Sequence, residues 1–463
     1  MNPRTTIPIR RAHLVGIGGS GMSGLARMLT GLGVAVTGSD AFDSPNVRAL
    51  RALGLRIDVG HRSEVPPLDD GWLVRSAAIP DDNPELLEAR RKRIPCLYYA
   101  EAIGTLSTGR RTIAVAGTHG KTSTTAMCVA ALHASKIDCS YLVGGELIGE
   151  GIGNGHGGQS DLFVVEACEF NRSFHQLRPT FGAILNLDSD HFDCYPDLEA
   201  LEESFAAYAG NLRHGGKLYV HESVPDTVFR RLPKDVTVMK IGSQLFADVR
   251  ALDVTDELGR FSFTPSYRKR RLPRVTLQAL GKFQVFNALF ALAMAVDAGA
   301  DPEGACRGLS EYRGVARRFQ IWNGESGRRQ VVDDYAHHPR EIEAVLSTVR
   351  RVYPGRPILV AFQPHQHSRT KNLLAEFGAS LALADACLVA DIYAAREDPN
   401  LDHGVAASDV VEAVREAGGR AMVGGPLSTL GGRILHELEA TAIPVVLGAG
   451  ELDGVVQEVV RGL

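Results

Sequence analysis

The chain has 463 residues, enough for roughly three domains at ~150 residues each. Hydrophobic residues make up 44% and charged residues 22%, a globular balance that excludes a disordered chain. Fifty Lys and Arg against 54 Asp and Glu give a net charge of −4, which argues against a strongly basic nucleic-acid binder and predicts no nucleic-acid partner.

The seven cysteines are odd in number and contain no C-x-x-C pair, which counts against a disulfide framework or a zinc ribbon. Met1 to Arg11 lacks the apolar stretch of a signal peptide. The longest helical apolar run, Ala288 to Val296, is far short of the ~20 residues of a membrane span. These features predict a cytoplasmic protein with no membrane partner, a monomer or weak homodimer.

Strand-like and helix-like segments alternate along the chain, which predicts an α/β fold of parallel sheets covered on both faces. In the first stretch, Leu14 to Ile17 reads as a strand, Gly21 to Thr30 as a helix, and Val34 to Gly38 and Trp72 to Val74 as strands. A second rhythm begins with the strand Thr112 to Ala116, followed by a glycine-rich turn and a long helix. Leu162 to Glu166 and Ala183 to Leu187 read as further buried strands, whereas 216–275 has no clear pattern. There, the Tyr267 to Arg271 run reads as a solvated turn or edge. A third rhythm takes in Gln330 to Val332, Ile358 to Phe362, Ala386 to Ala390 and Pro444 to Leu447. Boundaries are expected near residues 106 and 313, giving domains 1–106, 107–312 and 313–463.

Two turns carry phosphate chemistry. Gly16-Ile17-Gly18-Gly19-Ser20-Gly21 fits G-x-G-x-x-G between a strand and a helix, and Asp40 ends the next strand. Glycines let the backbone approach a diphosphate, and the helix N-terminus presents free N–H groups. NAD, FAD and a UDP-sugar all carry such a group. Gly117-Thr118-His119-Gly120-Lys121-Thr122 resembles the end of a P-loop, although Val115 stands at its first glycine. Lys121 would reach the phosphates of ATP, and the Thr122 hydroxyl would ligate Mg²⁺. A dehydrogenase needs only the first turn and a simple ATPase only the second. Both together point to ATP acting on a substrate that itself bears a diphosphate.

Carboxylates and histidines stand at the C-terminal ends of later strands, the ligand edge of a parallel sheet. Glu166 suits Mg²⁺ beside Thr122, and His191 could serve a second ion. Cys168 is expected to be a buried packing residue. Asp333 to Pro339 and Phe362 to Thr370 bring Asp334, Tyr335, His337, His365 and Arg369 toward one cleft. The planar fork of Arg369 suits a carboxylate.

The set His13 to Gly24, Ala116 to Thr122, Asp190-His191-Phe192-Asp193, Arg317-Arg318-Phe319, Asp333 to Pro339 and Phe362 to Thr370 resembles the Mur ligases, in order and over nearly the whole chain. The resemblance implies three α/β domains: an N-terminal Rossmann-like domain for a UDP-sugar, a central P-loop ATPase-type domain, and a C-terminal Rossmann-like domain for the amino acid. It implies an ATP-dependent amide ligase of peptidoglycan precursor synthesis, joining L-alanine to the carboxylate of UDP-N-acetylmuramate through an acyl phosphate. By motif position Gly18, Gly19, Ser20, Gly21, Met22, Ser23, Asp40 and Ser76 would face the UDP-sugar. Gly117, Thr118, His119, Gly120, Lys121 and Thr122, with Asn287, Arg318 and Asp334, would face ATP. Thr122, Glu166 and His191 would hold one or two Mg²⁺ ions. Tyr335, His337, His365 and Arg369 would form the amino-acid pocket. Lys121, Glu166, His191 and His337 would be catalytic, with His337 or Asp334 taking the amine proton.

The chain departs from the family pattern at Phe283-Gln284, where His-Asn is common, and at Gln366, where Arg is common. Ala77 and Cys168 also depart, standing where Ser and Asp are frequent. Two rival readings are a ligase that attaches a recycled tripeptide to UDP-N-acetylmuramate, and a nicotinamide-dependent Rossmann dehydrogenase.

Overall fold

The computed structural model describes residues 9–149, 153–190, 192, 194–327, 329–395, 397 and 403–463. His191 lies outside these residues. The described chain forms three sheets in sequence order.

The first sheet is wholly parallel and runs Arg56–Val59, Ala35–Asp40, Arg11–Val15, Gly71–Arg75, Cys96–Tyr98. The strand order reverses beside Arg11–Val15, so the first glycine-rich turn opens at the switch point where such sheets take ligands. Central strands such as Gly71–Arg75 are buried on both faces.

The middle sheet is built on a run of parallel strands, seven among the described residues. Phe181–Ile184, Arg111–Ala116 and Leu162–Glu166 lie side by side at its centre, so the second glycine-rich turn and Glu166 leave the same edge. The expected Ala183 to Leu187 strand is Phe181–Ile184, beginning two residues earlier and ending three earlier. The unpatterned 216–275 segment becomes Lys217–His221, Thr237–Ile241 and a hairpin of Val249–Glu257 with Arg260–Tyr267. That hairpin is half exposed and twisted by a register shift, so its apolar residues are too dispersed to read as a core strand. At its open end the Tyr267 to Arg271 run turns back as an exposed edge, as expected.

In the third sheet Gln320–Asn323 pairs antiparallel with Gln330–Asp334. Ile443–Leu447, Ile358–Phe362, Ala386–Ala390 and Ala421–Gly425 continue it in parallel. Helix Pro339–Val352 follows Gln330–Asp334; proline pre-sets its first turn, and the His338 ring accepts the Arg340 N–H.

The first and middle units share one apolar core, in which Leu14, Leu25 and Leu29 join Ala114, Phe163 and Ile184. Helix Ser20–Gly31 lies against the Gly155–His156 strand of the middle unit without room for side chains. A Cβ on Gly155 would fall 2.0 Å from the Gly24 carbonyl oxygen, and one on Gly157 2.4 Å from that of Met28. The third unit has separate cores of its own. Among the described residues, no helix is long and apolar enough to cross a membrane.

Candidate active site between the three units

The first turn is held by Asp40. Its Oδ2 accepts the Gly18 N–H at 2.8 Å and its Oδ1 the Phe42 N–H at 3.2 Å. A Cβ on Gly18 would lie 2.7 Å from Ser44 Oγ and 2.9 Å from Asp40 Oδ2, so a side chain there would displace both groups. Gly19 precedes helix Ser20–Gly31, whose first turn contains Gly21. Met22 and Ser23 point inward, and Ser23 Oγ donates to the Ser20 carbonyl. Ser76 packs behind Gly16, and its Oγ accepts the Ala78 N–H at 3.4 Å.

The second turn leaves Arg111–Ala116 and opens helix Lys121–Ala134. Gly117 and Gly120 take φ of +139° and +83°, which side chains avoid. Lys121 Nζ folds over the loop, donating to the Gly117 and Thr118 carbonyls at 2.6 and 3.0 Å and to Glu169 Oε1 at 2.9 Å. Burial opposes its charge, but Glu169 prevails and raises its pKa. Asn186 clamps the loop by accepting the His119 N–H and donating to the His119 carbonyl. The Thr118 hydroxyl donates to the Asp188 carbonyl.

Gly144 ties the two turns together. Its carbonyl accepts from Ser20 Oγ at 3.0 Å, and its N–H donates to Glu166 Oε1 at 2.5 Å. Glu166 Oε2 and Thr122 Oγ1 both approach within 3.0 Å of where a Gly144 Cβ would be. Burial raises the Glu166 pKa against the Gly144 N–H, Lys121 and Arg318. Tyr99 stands beside this junction: its ring lies 3.0 Å from a Cβ placed on Gly21, and Glu166 and Cys168 act on its hydroxyl electrostatically. Nothing in sequence spacing singles out Gly144 or Tyr99; only the packing of the first unit on the middle one brings them here. Cys168 is solvent-accessible beside Lys121 rather than a buried packing residue.

The third unit closes the far side. Arg318 reaches within 3.4 Å of Thr122 Oγ1 and lies over the Tyr335 ring at 4.9 Å. A cavity of ≈ 240 Å³ opens between the units, lined by Gly120, Phe283, Gln284, Asn287, Arg318 and Asp334 among others. Gln284 Oε1 accepts from Asn287 Nδ2 at 3.0 Å, fixing that amide beside Gly120. Asp334 accepts the Phe319 and Ala336 N–H groups at 2.6 and 2.7 Å. Burial nevertheless outweighs Arg318 and these bonds and pushes its carboxyl up to about 7.

His337 lies 5.6 Å from the Tyr335 ring and 5.8 Å from the His365 ring, centroid to centroid. Burial lowers its pKa to about 4 despite Glu341, so the ring is neutral near pH 7. Tyr335, His337, His365 and Arg369 are thus brought together. Arg369 meets a carboxylate within the protein itself, that of Asp190.

The donors fit the expected metal. A buried carboxylate and a hydroxyl converge beside Lys121, an oxygen set of the kind Mg²⁺ prefers. Two further groups could hold an ion: His119 with Asp188 and His338, and His367 with Glu397 and His403. The first is already paired, with His119 ring nitrogens 3.2 Å from Asp188 Oδ2 and 3.0 Å from Glu341 Oε1. Burial opposes the His119 charge, yet these two carboxylates outweigh it and hold the ring pKa at about 9. Glu341 was a residue sequence reading missed, although it stands four residues after His337 on a helix.

Against known proteins, the catalytic domain of the Mur ligase family matches residues 11–111, the Mur ligase middle domain 115–295, and the domain described as Mur ligase, glutamate ligase domain 317–450. The chain belongs to the Mur ligase family. A relative from Kineococcus radiotolerans named UDP-N-acetylmuramate–L-alanine ligase is 40% identical, covering 97% of this chain and 96% of that protein. One of the same name from Streptomyces coelicolor is 41% identical over 90% of each. The crystal structure of the Thermotoga maritima UDP-N-acetylmuramate–alanine ligase superposes with a TM-score of 0.79 at 26% identity, covering 97% of this chain and 98% of that one. A murein peptide ligase from Psychrobacter arcticus shares the fold, with a TM-score of 0.72 at 24% identity. The Mur ligase fold accounts for both glycine-rich turns, one of which a dehydrogenase would leave without a role.

Proposed function

We propose that this Mur ligase joins L-alanine to the lactyl carboxylate of UDP-N-acetylmuramate at the expense of ATP, releasing ADP and phosphate. The observation that carries this reading is Gly144, hydrogen-bonded on one side to Ser20 of the first turn and on the other to Glu166 beside the second. A carboxyl group carried by the first turn's ligand thus enters the space where the second presents a γ-phosphoryl group.

A free carboxylate does not react with an amine at neutral pH, so it is first phosphorylated. Lys121 and Arg318 neutralise charge on the phosphoryl group as it moves, which is most of what such a transfer requires. Thr122 and Glu166 would hold Mg²⁺, which supplies further positive charge when bound; His191 belongs to the same proposal. The amine then attacks the acyl carbon, the carbon–nitrogen bond forms, and phosphate leaves. Asp334, titrating near pH 7, is better matched to accept the amine proton than the weakly basic His337. Tyr335, His337, His365 and Arg369 receive the amino acid, and Asn287, Phe283 and Gln284 the nucleoside. Gly18 to Gly21, with Asp40 and Ser76 behind, hold the UDP-sugar.

The domain divisions at 107 and 313, a cytoplasmic location and a monomeric or weakly dimeric state belong to the same reading. The test is phosphate release from ATP with UDP-N-acetylmuramate and each candidate acceptor in turn. L-alanine should support turnover; release with a tripeptide alone would overturn the assignment.

A further inference from the structure

We propose that Asp190 is a positioning residue for the amino-acid pocket: it reaches from the middle unit and fixes the Arg369 guanidinium of the third. This rests on the reading that Arg369 receives the amino-acid carboxylate. Arg369 lies on the short helix His367–Asn372, after the strand Ile358–Phe362. Asp190 comes from the segment that follows Phe181–Ile184 in a different sheet. Arg369 Nε and Nη2 each lie 2.7 Å from the same oxygen, Asp190 Oδ1. Nη1 donates to His365 Nδ1 at 2.9 Å and approaches the His365 carbonyl at 3.3 Å. Arg369 is 2% exposed and Asp190 5%.

The consequences follow from donor chemistry. A guanidinium has no acceptor, so His365 must offer a bare Nδ1 and carry its proton on Nε2. Asp190 and His365 between them hold all three guanidinium nitrogens: Nε donates to Asp190, Nη2 lies against the same carboxylate oxygen, and Nη1 donates to His365. An arriving carboxylate therefore meets a donor whose plane is already set, rather than a flexible side chain that must be ordered on binding. Losing one partner of a buried ion pair leaves the other uncompensated, so substrate does not simply displace Asp190. Because the two residues belong to different units, the pocket is complete only when the third unit lies against the middle one. Amino-acid capture is thereby coupled to closure over the nucleotide.

The experiment is steady-state phosphate release by the full-length enzyme with all three substrates. Asp190→Ala should raise the KM for L-alanine about tenfold or more and leave the KM for ATP and UDP-N-acetylmuramate within about twofold. Asp190→Asn keeps the Oδ1 acceptor that receives both contacts but not its charge, and should recover part of the loss. Arg369→Ala should raise the same KM, and the double variant should be no worse than Arg369→Ala alone. If Arg369→Ala raises it and Asp190→Ala does not, the role of Asp190 is overturned. If Asp190→Ala raises all three KM values together and Asp190→Asn rescues none, Asp190 is merely structural and the proposal fails. If Arg369→Ala leaves the KM for L-alanine unchanged, the underlying assignment of Arg369 fails instead. Should Asp190→Ala not fold, Asp190→Glu carries the test: its longer arm displaces the guanidinium and raises that one KM, and an unchanged value overturns the proposal.

Discussion

Glu341 of the third unit lies 3.0 Å from the ring of His119 in the nucleotide turn, and Asp188 holds the opposite ring nitrogen. The imidazole is therefore a charged bridge between units. Its pKa, about 9, is above the ordinary histidine value, so its contribution to stability is complete below pH 6.5 and disappears as pH rises through about 9. His119→Gln should lower the melting temperature at pH 7, for a loss on the order of 2 kcal/mol, and have little effect at pH 10. Melting curves of both proteins across that range check this; equal losses at the two pH values would refute it.

Lys121 spans the loop it belongs to, so its removal takes away both a loop brace and the phosphate charge. Lys121→Ala should cut kcat by about a thousandfold or more. The UDP-sugar turn lies on a different sheet, so its affinity should stay within about threefold by calorimetry. Loss of UDP-sugar binding would mean that the two turns have been assigned to the wrong ligands.

A methyl group on Gly18 would push aside Ser44 Oγ and Asp40 Oδ2. Gly18→Ala should break the Asp40 clamp and weaken UDP-N-acetylmuramate binding by about tenfold, with the KM for ATP little changed. Equilibrium titration with the UDP-sugar decides it.

The raised pKa of Asp334 predicts an acid limb in the rate. Its buried carboxyl is protonated below about 7, so kcat should climb through that pH and level off above it. Asp334→Asn should lose most of the activity, and what remains should lack that limb. For stability the sign is opposite: neutral Asp334 favours the folded state at low pH, an advantage lost as pH passes about 7. A pH–rate profile and pH-dependent melting of the two proteins separate the effects.

Much of this was legible in the chain. Both glycine-rich turns fall where their spacing puts them, because a tight turn between a buried strand and a helix needs particular residues at particular offsets. Strand ends such as Leu162–Glu166 and Ile358–Phe362 could be read to the residue from their apolar runs. The Val249–Glu257 hairpin could not, because half its residues face water and no period survives. Nor could the bridges between units. Gly144, Tyr99, Glu341 and the Asp190–Arg369 pair join residues far apart in sequence, and no local pattern records which units meet. Cys168, expected in packing, is solvent-accessible two residues past the end of Leu162–Glu166.

The backbone-to-backbone seam at Gly24, Gly155 and Gly157 has a mechanical meaning. Two bodies joined without intervening side chains, and sharing one apolar interior, behave as a single anvil. The two glycine-rich turns are thereby held at a fixed separation within that body. Charge pairs tie the third body to the anvil, His119 to Glu341, Arg340 to Asp188 and Arg369 to Asp190, beside apolar packing of Phe192 and Leu280 on its core. Ion pairs tolerate small displacements better than interlocked glycines, so the seam with the C-terminal unit is the more yielding of the two.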